Sequence, residues 1–183
     1  FNLSLIKEIS SNLMNSGYVK EIKSSAYEFT EDQASIYIYA KPISKNSVNG
    51  LIGIQPSENG NIQFTGNVSL NFLNSLKYGE QLKIDWRRMF NASQNLITDI
   101  RLPFLFNSNF EINGVVNMIK KDSSFFNFEG QTTLNYLIQN HFSTGVLISH
   151  NNSTNLLENN YNSTSTNSFG FTFNYSLLNS LNN

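Results

Sequence analysis

Histidine is the side chain best suited to proton transfer and metal ligation near neutral pH, and this chain has two, His141 and His150. They fall at opposite ends of one expected strand, ~30 Å apart at ~3.3 Å per residue. They cannot share a metal within one protomer. No nucleophile-elbow pattern surrounds any serine, which leaves a lone His with nothing to activate. The sequence lacks cysteine, so thiol nucleophiles, Cys-based zinc sites and disulfide frameworks are excluded together. The acidic pair Glu31-Asp32 sits in a turn-prone stretch, where solvated polar residues are the ordinary explanation. There is no glycine-rich phosphate loop and no basic patch with interleaved aromatics. With a net charge of −1, nothing supports nucleotide or nucleic-acid binding. Triplets such as Asn67-Val68-Ser69 and Asn152-Ser153-Thr154 are expected by chance in a chain this rich in Asn. The expectation is a protein that is not an enzyme and needs no cofactor or metal.

The one constellation of charge that stands out is Lys83, Asp85, Arg87, Asp99, Arg101, Glu111 and Glu129. Each occupies the polar phase of a strand whose other phase is apolar, so the seven are expected on one face of a common sheet. Their alternating signs suggest a mutually compensated network. It serves either as solvated charges stabilising the interior of a barrel, or as a lining that guides a substrate or seats a lumenal loop.

The elements that would carry these charges are long, alternating strands. In residues 61–72, Ile62, Phe64, Gly66, Val68, Leu70 and Phe72 fall on one face and Gln63, Thr65, Asn67, Ser69 and Asn71 on the other. Ordinary strands have a mode of ~5 to 6 residues, whereas a tilted strand crossing a bilayer needs ~9 to 11. The alternation recurs over 81–87, 98–104, 110–118, 126–136 and 169–177. With the weaker stretches 48–55 and 141–150 it gives about eight strands in an up-and-down meander. Expected connections include a turn near 74–79 and a long Asn/Ser/Thr-rich loop over 151–166.

Only 14% of residues are charged against a usual ~25%, and Asn, Ser, Thr and Gln supply the polarity instead. Neutral polar residues on one phase and apolar ones on the other suit a strand between lipid and a water-filled lumen. A soluble sandwich also alternates; strand length and the 15 Phe and 8 Tyr, many at strand ends as in interfacial girdles, favour the membrane. No apolar run reaches the ~18 to 20 residues of a membrane helix.

The first forty-odd residues differ in texture. Leu5, Ile6, Ile9 and Leu13 trace one face of a helix over 3–14, ending at Asn15-Ser16-Gly17. Strands over 23–29 and 34–41 follow, joined through Thr30-Glu31-Asp32-Gln33, with Ile36 and Ile38 expected to cover the helix and Tyr37 and Tyr39 on the opposite face. The expected division is 1–43 as the end of an α+β unit, 44–49 as a linker, and 50–183 as barrel strands.

With these segments in order, the chain resembles the outer-membrane assembly and translocation superfamily, the BamA/TamA-like proteins and two-partner-secretion translocators, especially in their Bacteroidetes form. The likeness rests on Gly17-Tyr18-Val19 after the helix, Asn49-Gly50-Leu51-Ile52-Gly53, Asn59-Gly60, Phe64-Thr65-Gly66, Tyr78-Gly79-Glu80 with Trp86, Ser93-Gln94, Leu102-Pro103-Phe104 and Lys121-Asp122-Ser123-Ser124-Phe125. It implies a partial periplasmic POTRA-like unit followed by a mainly β, antiparallel transmembrane barrel in the bacterial outer membrane. The family's lumenal Arg-Gly-aromatic element and terminal aromatic have no counterpart here, which implies a chain holding roughly half of a sixteen-strand barrel. The resemblance further implies that the protein assembles or translocates other proteins. Its partners would be membrane lipids, unfolded outer-membrane or secreted clients, and periplasmic or lipoprotein accessory subunits. The strand over 48–55 would form an opening seam, its pairing weakened by Gly50 and Gly53. The alternatives are a passive porin- or adhesin-like barrel and a soluble secreted β-sandwich that binds glycans.

Overall fold

The computed structural model describes residues 18–30, 33–56, 60–89, 93–122, 124–139, 142–155 and 162–175. The helix expected over 3–14 and His141 lie outside them. Strands β1 (Val19–Phe29) and β2 (Ala34–Pro42) form an antiparallel two-stranded sheet. The Thr30 N–H and hydroxyl both donate to the Gln33 carbonyl at 2.9 and 3.1 Å, closing the connection.

The remaining strands make one antiparallel sheet in sequence order: β3 (Lys45–Pro56), β4 (Ile62–Leu73), β5 (Gln81–Arg88), β6 (Gln94–Leu102), β7 (Phe110–Lys121), β8 (Phe125–Gln139), β9 (Phe142–Asn155) and β10 (Asn162–Tyr175). Eight strands are expected and eight are found. Their ends correct the sequence reading in several places. Residues 45–49, expected within a linker, belong to β3. Most of the loop expected over 151–166 is strand, because β9 runs to Asn155 and β10 starts at Asn162. There, polar residues on both faces hide the alternation while the backbone ladder continues from Thr166↔Asn151 to Asn162↔Asn155. β6 covers Gln94–Leu102 rather than 98–104. Pro103 cannot donate to a ladder, and Phe104 turns into the left-handed region at φ 53°.

Register carries the two faces across every strand. Ser69 pairs with Asp85, Lys83 with Asp99, Asp99 with Val115, Asn117 with Glu129, Glu129 with Asn151 and Asn151 with Thr166. All seven residues of the charged constellation therefore share one face. The opposite face carries the aromatic and aliphatic phase and lies open: Phe169, Phe171 and Phe173 are 81%, 79% and 73% exposed. Among the described residues no second layer covers it. The polar face contains the enclosed side chains, with Glu111, Thr133 and Asn135 only 5%, 7% and 4% exposed. A sandwich would bury the phases the other way round. The sheet curls toward its polar face.

The apolar stretch also slides along the register. The row joining Phe169, Ile148, Thr132 and Gly114 continues through Ile100 and Leu82 to Phe72. Beyond this row β10 becomes polar at Asn167, whereas β4 runs on through Leu70, Val68 and Phe64 to Ile62. A level apolar band drawn on tilted strands produces this stagger, and tilt is what closing a sheet into a barrel demands.

Candidate functional site

Polar residues of the inner face are arranged in two groups, a charged wall and a clasp at its base. On the wall, the Arg101 guanidinium donates from Nε and Nη2 to Glu111 Oε2 at 2.8 and 2.7 Å, and Asn113 Nδ2 donates to Glu111 Oε1 at 2.9 Å. Glu111 is enclosed while Arg101 is about half exposed, its side chain at 52%. The carboxylate is thus satisfied on both oxygens, as a buried charge requires. This is the ion pair found among the described residues. Lys83 and Asp99 stand abreast as Cα partners, Ser69 Oγ donates to Asp85 at 2.6 Å, Arg87 lies between Asn67 and Asn95, and Glu129 between Asn117 and Asn151. The mutual compensation expected from the alternating signs is realised once, at Arg101–Glu111.

Beside this pair, Thr172 of β10 donates its hydroxyl to Asn135 Oδ1 of β8 at 3.0 Å, although β9 lies between them. The intervening residue is Gly145, the partner of both. A Cβ there would collide with the Leu134 carbonyl and the Asn135 amide oxygen and lie 2.9 Å from Asn135 Cα. Glycine is what lets the curl bring strands two apart into contact. Sequence reading assigned Asn135 and Thr172 to polar phases and missed this bridge.

Four amide oxygens on the same wall, those of Gln63, Asn71, Asn95 and Asn117, are buried and have no hydrogen-bond partner among the described residues. Buried amide oxygens ordinarily have donors.

The clasp is the turn 74–80 joining β4 to β5. Asn74, at φ 54° and 2% exposed, donates from Nδ2 to the carbonyls of Ile43 at 2.9 Å and Tyr18 at 3.4 Å, and accepts from the Gly79 N–H at 2.9 Å. Ser44 Oγ donates to the Asn74 carbonyl at 2.9 Å, and Ser75 Oγ donates to Asn46 Oδ1 at 2.7 Å. Gly79 takes φ 78°, and a Cβ there would stand 3.0 Å from the Tyr18 ring. The turn thus grips both ends of the β1–β2 hairpin. Glu80, 8% exposed, accepts from the Leu76 N–H and from the Tyr78 N–H at 3.0 Å. Burial alone would raise its carboxyl, but the backbone N–H groups of Leu76, Glu80, Tyr78 and Ser75 outweigh it and hold the group below the ordinary carboxylate range.

β3 pairs with β4 without interruption from Lys45↔Leu73 to Pro56↔Ile62, and its other edge is unpaired in this sheet. At Gly50 a Cβ would make ordinary contact, 3.5 Å from the Asn67 carbonyl, and at Gly53 it would meet only the movable Thr65 hydroxyl, at 2.7 Å. The rigid constraint is Gly66 on β4, whose Cβ would strike the Leu51 carbonyl of β3. His150 Nδ1 lies 2.7 Å from Asn167 Oδ1 on the apolar face's polar margin, the opposite face of the sheet from the wall charges.

This arrangement matches a solved structure, the crystal structure of BamA from Haemophilus ducreyi lacking POTRA domains 1-3, with a TM-score of 0.57 and 15% identity over 96% of this chain and 38% of that one. The fold is that of a BamA-like barrel. No protein-family model and no curated protein matches the sequence. The chain, with its eight described antiparallel strands, spans well under half the length of the BamA chain it resembles.

Proposed function

We propose that the chain is membrane-embedded wall of an outer-membrane barrel that inserts or translocates other proteins, with its N-terminal part in the periplasm as the end of a POTRA-like unit. The observation that carries this reading is an inversion of burial: among the described residues the buried side chains of the eight strands, Glu111, Thr133 and Asn135, all lie on the polar phase, while the aromatic phase of β10 is open, which suits lipid outside and water inside. Likeness to the BamA barrel supports the assembly role. On this reading the seven wall charges face the lumen, and β3, with Gly50 and Gly53, borders the seam toward the membrane. An unpaired strand edge is a template for adding an extended client. The partners are then bilayer lipids, unfolded client chains and accessory subunits, and the work is done by binding and strand exchange, without bond chemistry.

Depleting the protein tests the role. The abundance of other outer-membrane barrels should fall severalfold, and unchanged abundance would remove the assembly reading. Release of the protein from membranes by a carbonate wash would remove the barrel reading itself. A passive pore is the second reading, favoured by the four unpartnered amide oxygens on the wall, which suit a column of water. Solute flux through vesicles bearing the protein separates the two.

A further inference from the structure

The charges of the eight-stranded sheet are distributed unequally between its faces. Lys45, Lys83, Asp85, Arg87, Asp99, Arg101, Glu111, Lys121 and Glu129 all fall on the polar phase. The apolar phase of the described strands holds no carboxylate. It holds two charged residues, Arg88 and Lys120, and both are cations.

Register places these two in a single row. Arg88 of β5 is the partner of Gln94 of β6, and Gln94 is the partner of Lys120 of β7. They stand two strands apart, roughly 10 Å at ~4.8 Å per step. The next row on the same face is Trp86, Leu96 and Met118, so the cations top three apolar columns. They sit at the end of the sheet away from the clasp and the β1–β2 hairpin. On β4 the neighbour of Arg88 is Gly66, which offers no side chain to cover it, and β4 continues apolar beyond it to Phe64 and Ile62. The Arg88 Nε is buried without a hydrogen-bond partner. Lys120 is exposed. Among the described residues neither takes part in an ion pair.

A guanidinium at the margin of an apolar band is costly unless an anion or water meets it there, and among the described residues no strand carries a carboxylate on this face. Phosphate groups of a bilayer surface are anions that would border this row on the membrane reading. We propose that Arg88, Gln94 and Lys120 form a binding site on the barrel's outer wall for a phosphorylated lipid headgroup of the outer leaflet. The two cations engage phosphate oxygens and the Gln94 amide, between them, engages a neighbouring polar group. The proposal rests on the membrane-barrel reading, which supplies the lipid and the orientation.

Trp86 is the single tryptophan of the sequence and lies two residues before Arg88 on the same face, so it reports on the lipid beside the site. The full chain, folded into nanodiscs of zwitterionic phosphocholine lipid, is titrated with brominated lipids that quench Trp86. One series carries a phosphate-monoester headgroup and the other a phosphocholine headgroup. The expected result is a preference of about tenfold for the phosphate-monoester lipid, reduced to near parity in Arg88→Gln/Lys120→Gln, while inorganic phosphate at matched concentration fails to displace it. Equal quenching by the two lipids in the wild-type chain overturns the proposal, as does a preference that survives in the double variant. Displacement by inorganic phosphate overturns the lipid assignment in favour of a free-phosphate site. Absence of quenching by either lipid refutes the membrane-barrel reading instead, so the two failures are distinguishable.

Discussion

Replacing Gly145 by Ala adds one methyl group to the polar wall and tests how the sheet curls. The new Cβ would collide with the Leu134 carbonyl and stand 2.9 Å from Asn135 Cα, so backbone atoms must move. Overpacking of this kind costs about 1–3 kcal/mol. The shift also separates Thr172 from Asn135, whose 3.0 Å bond crosses this position, for a further ~1 kcal/mol. The expected loss is therefore about 2–4 kcal/mol. Gly114→Ala is the matched control, because a Cβ there meets nothing within 4 Å; it should fall within about 0.5 kcal/mol of wild type. Thr172→Val alone should cost ~1 kcal/mol, and combined with Gly145→Ala it should add less than that, since the bond is already broken. Urea unfolding of the chain in lipid vesicles, followed by Trp86 fluorescence, measures all four variants. Equal stability of Gly145→Ala and Gly114→Ala would show that the strands do not approach as described and refute the reasoning.

Acid should loosen the clasp. The Glu80 carboxyl is held below its ordinary range in the folded chain; its contribution is therefore complete above that range and is lost as pH falls through and below it. Glu80→Gln should flatten the acid limb of a stability-versus-pH curve, and an unchanged limb would exclude Glu80 as its source. Severing the wall pair by Arg101→Met should cost about 1–2 kcal/mol, below the figure for a fully buried pair because Arg101 is half exposed. A double-mutant cycle with Glu111→Gln should return a coupling of at least ~0.5 kcal/mol, against none if the contact is incidental.

The long strands were legible where one phase is predominantly apolar and the other polar. Ile62 to Phe72 and Phe126 to Tyr136 mark their faces residue by residue, and register then places the charged constellation on one side. Legibility fails at the far ends of β9 and β10. There Asn151 to Asn155 and Asn162 to Asn167 put Asn, Ser and Thr on both faces, and only the backbone ladder reveals the pairing. Burial of Asn74 was equally hidden, since its partners Ile43 and Tyr18 are 31 and 56 residues away. A turn-forming Asn carries no mark that its amide will hold another element. The Asn135–Thr172 bridge depends on curvature, which alternation does not encode.

The fastening at Asn74 has a mechanical consequence for β3. Ser44 and Asn46, at the strand's beginning, are tied down by Asn74 and Ser75, while from Val48 to Pro56 the ladder to β4 and the short connection 57–61 restrain it. Both ends of β3 are thus fastened, the foot by these bonds and the Pro56 end by five residues of chain to its partner Ile62, so β3 and β4 form one leaf whose remaining freedom lies along its outer edge.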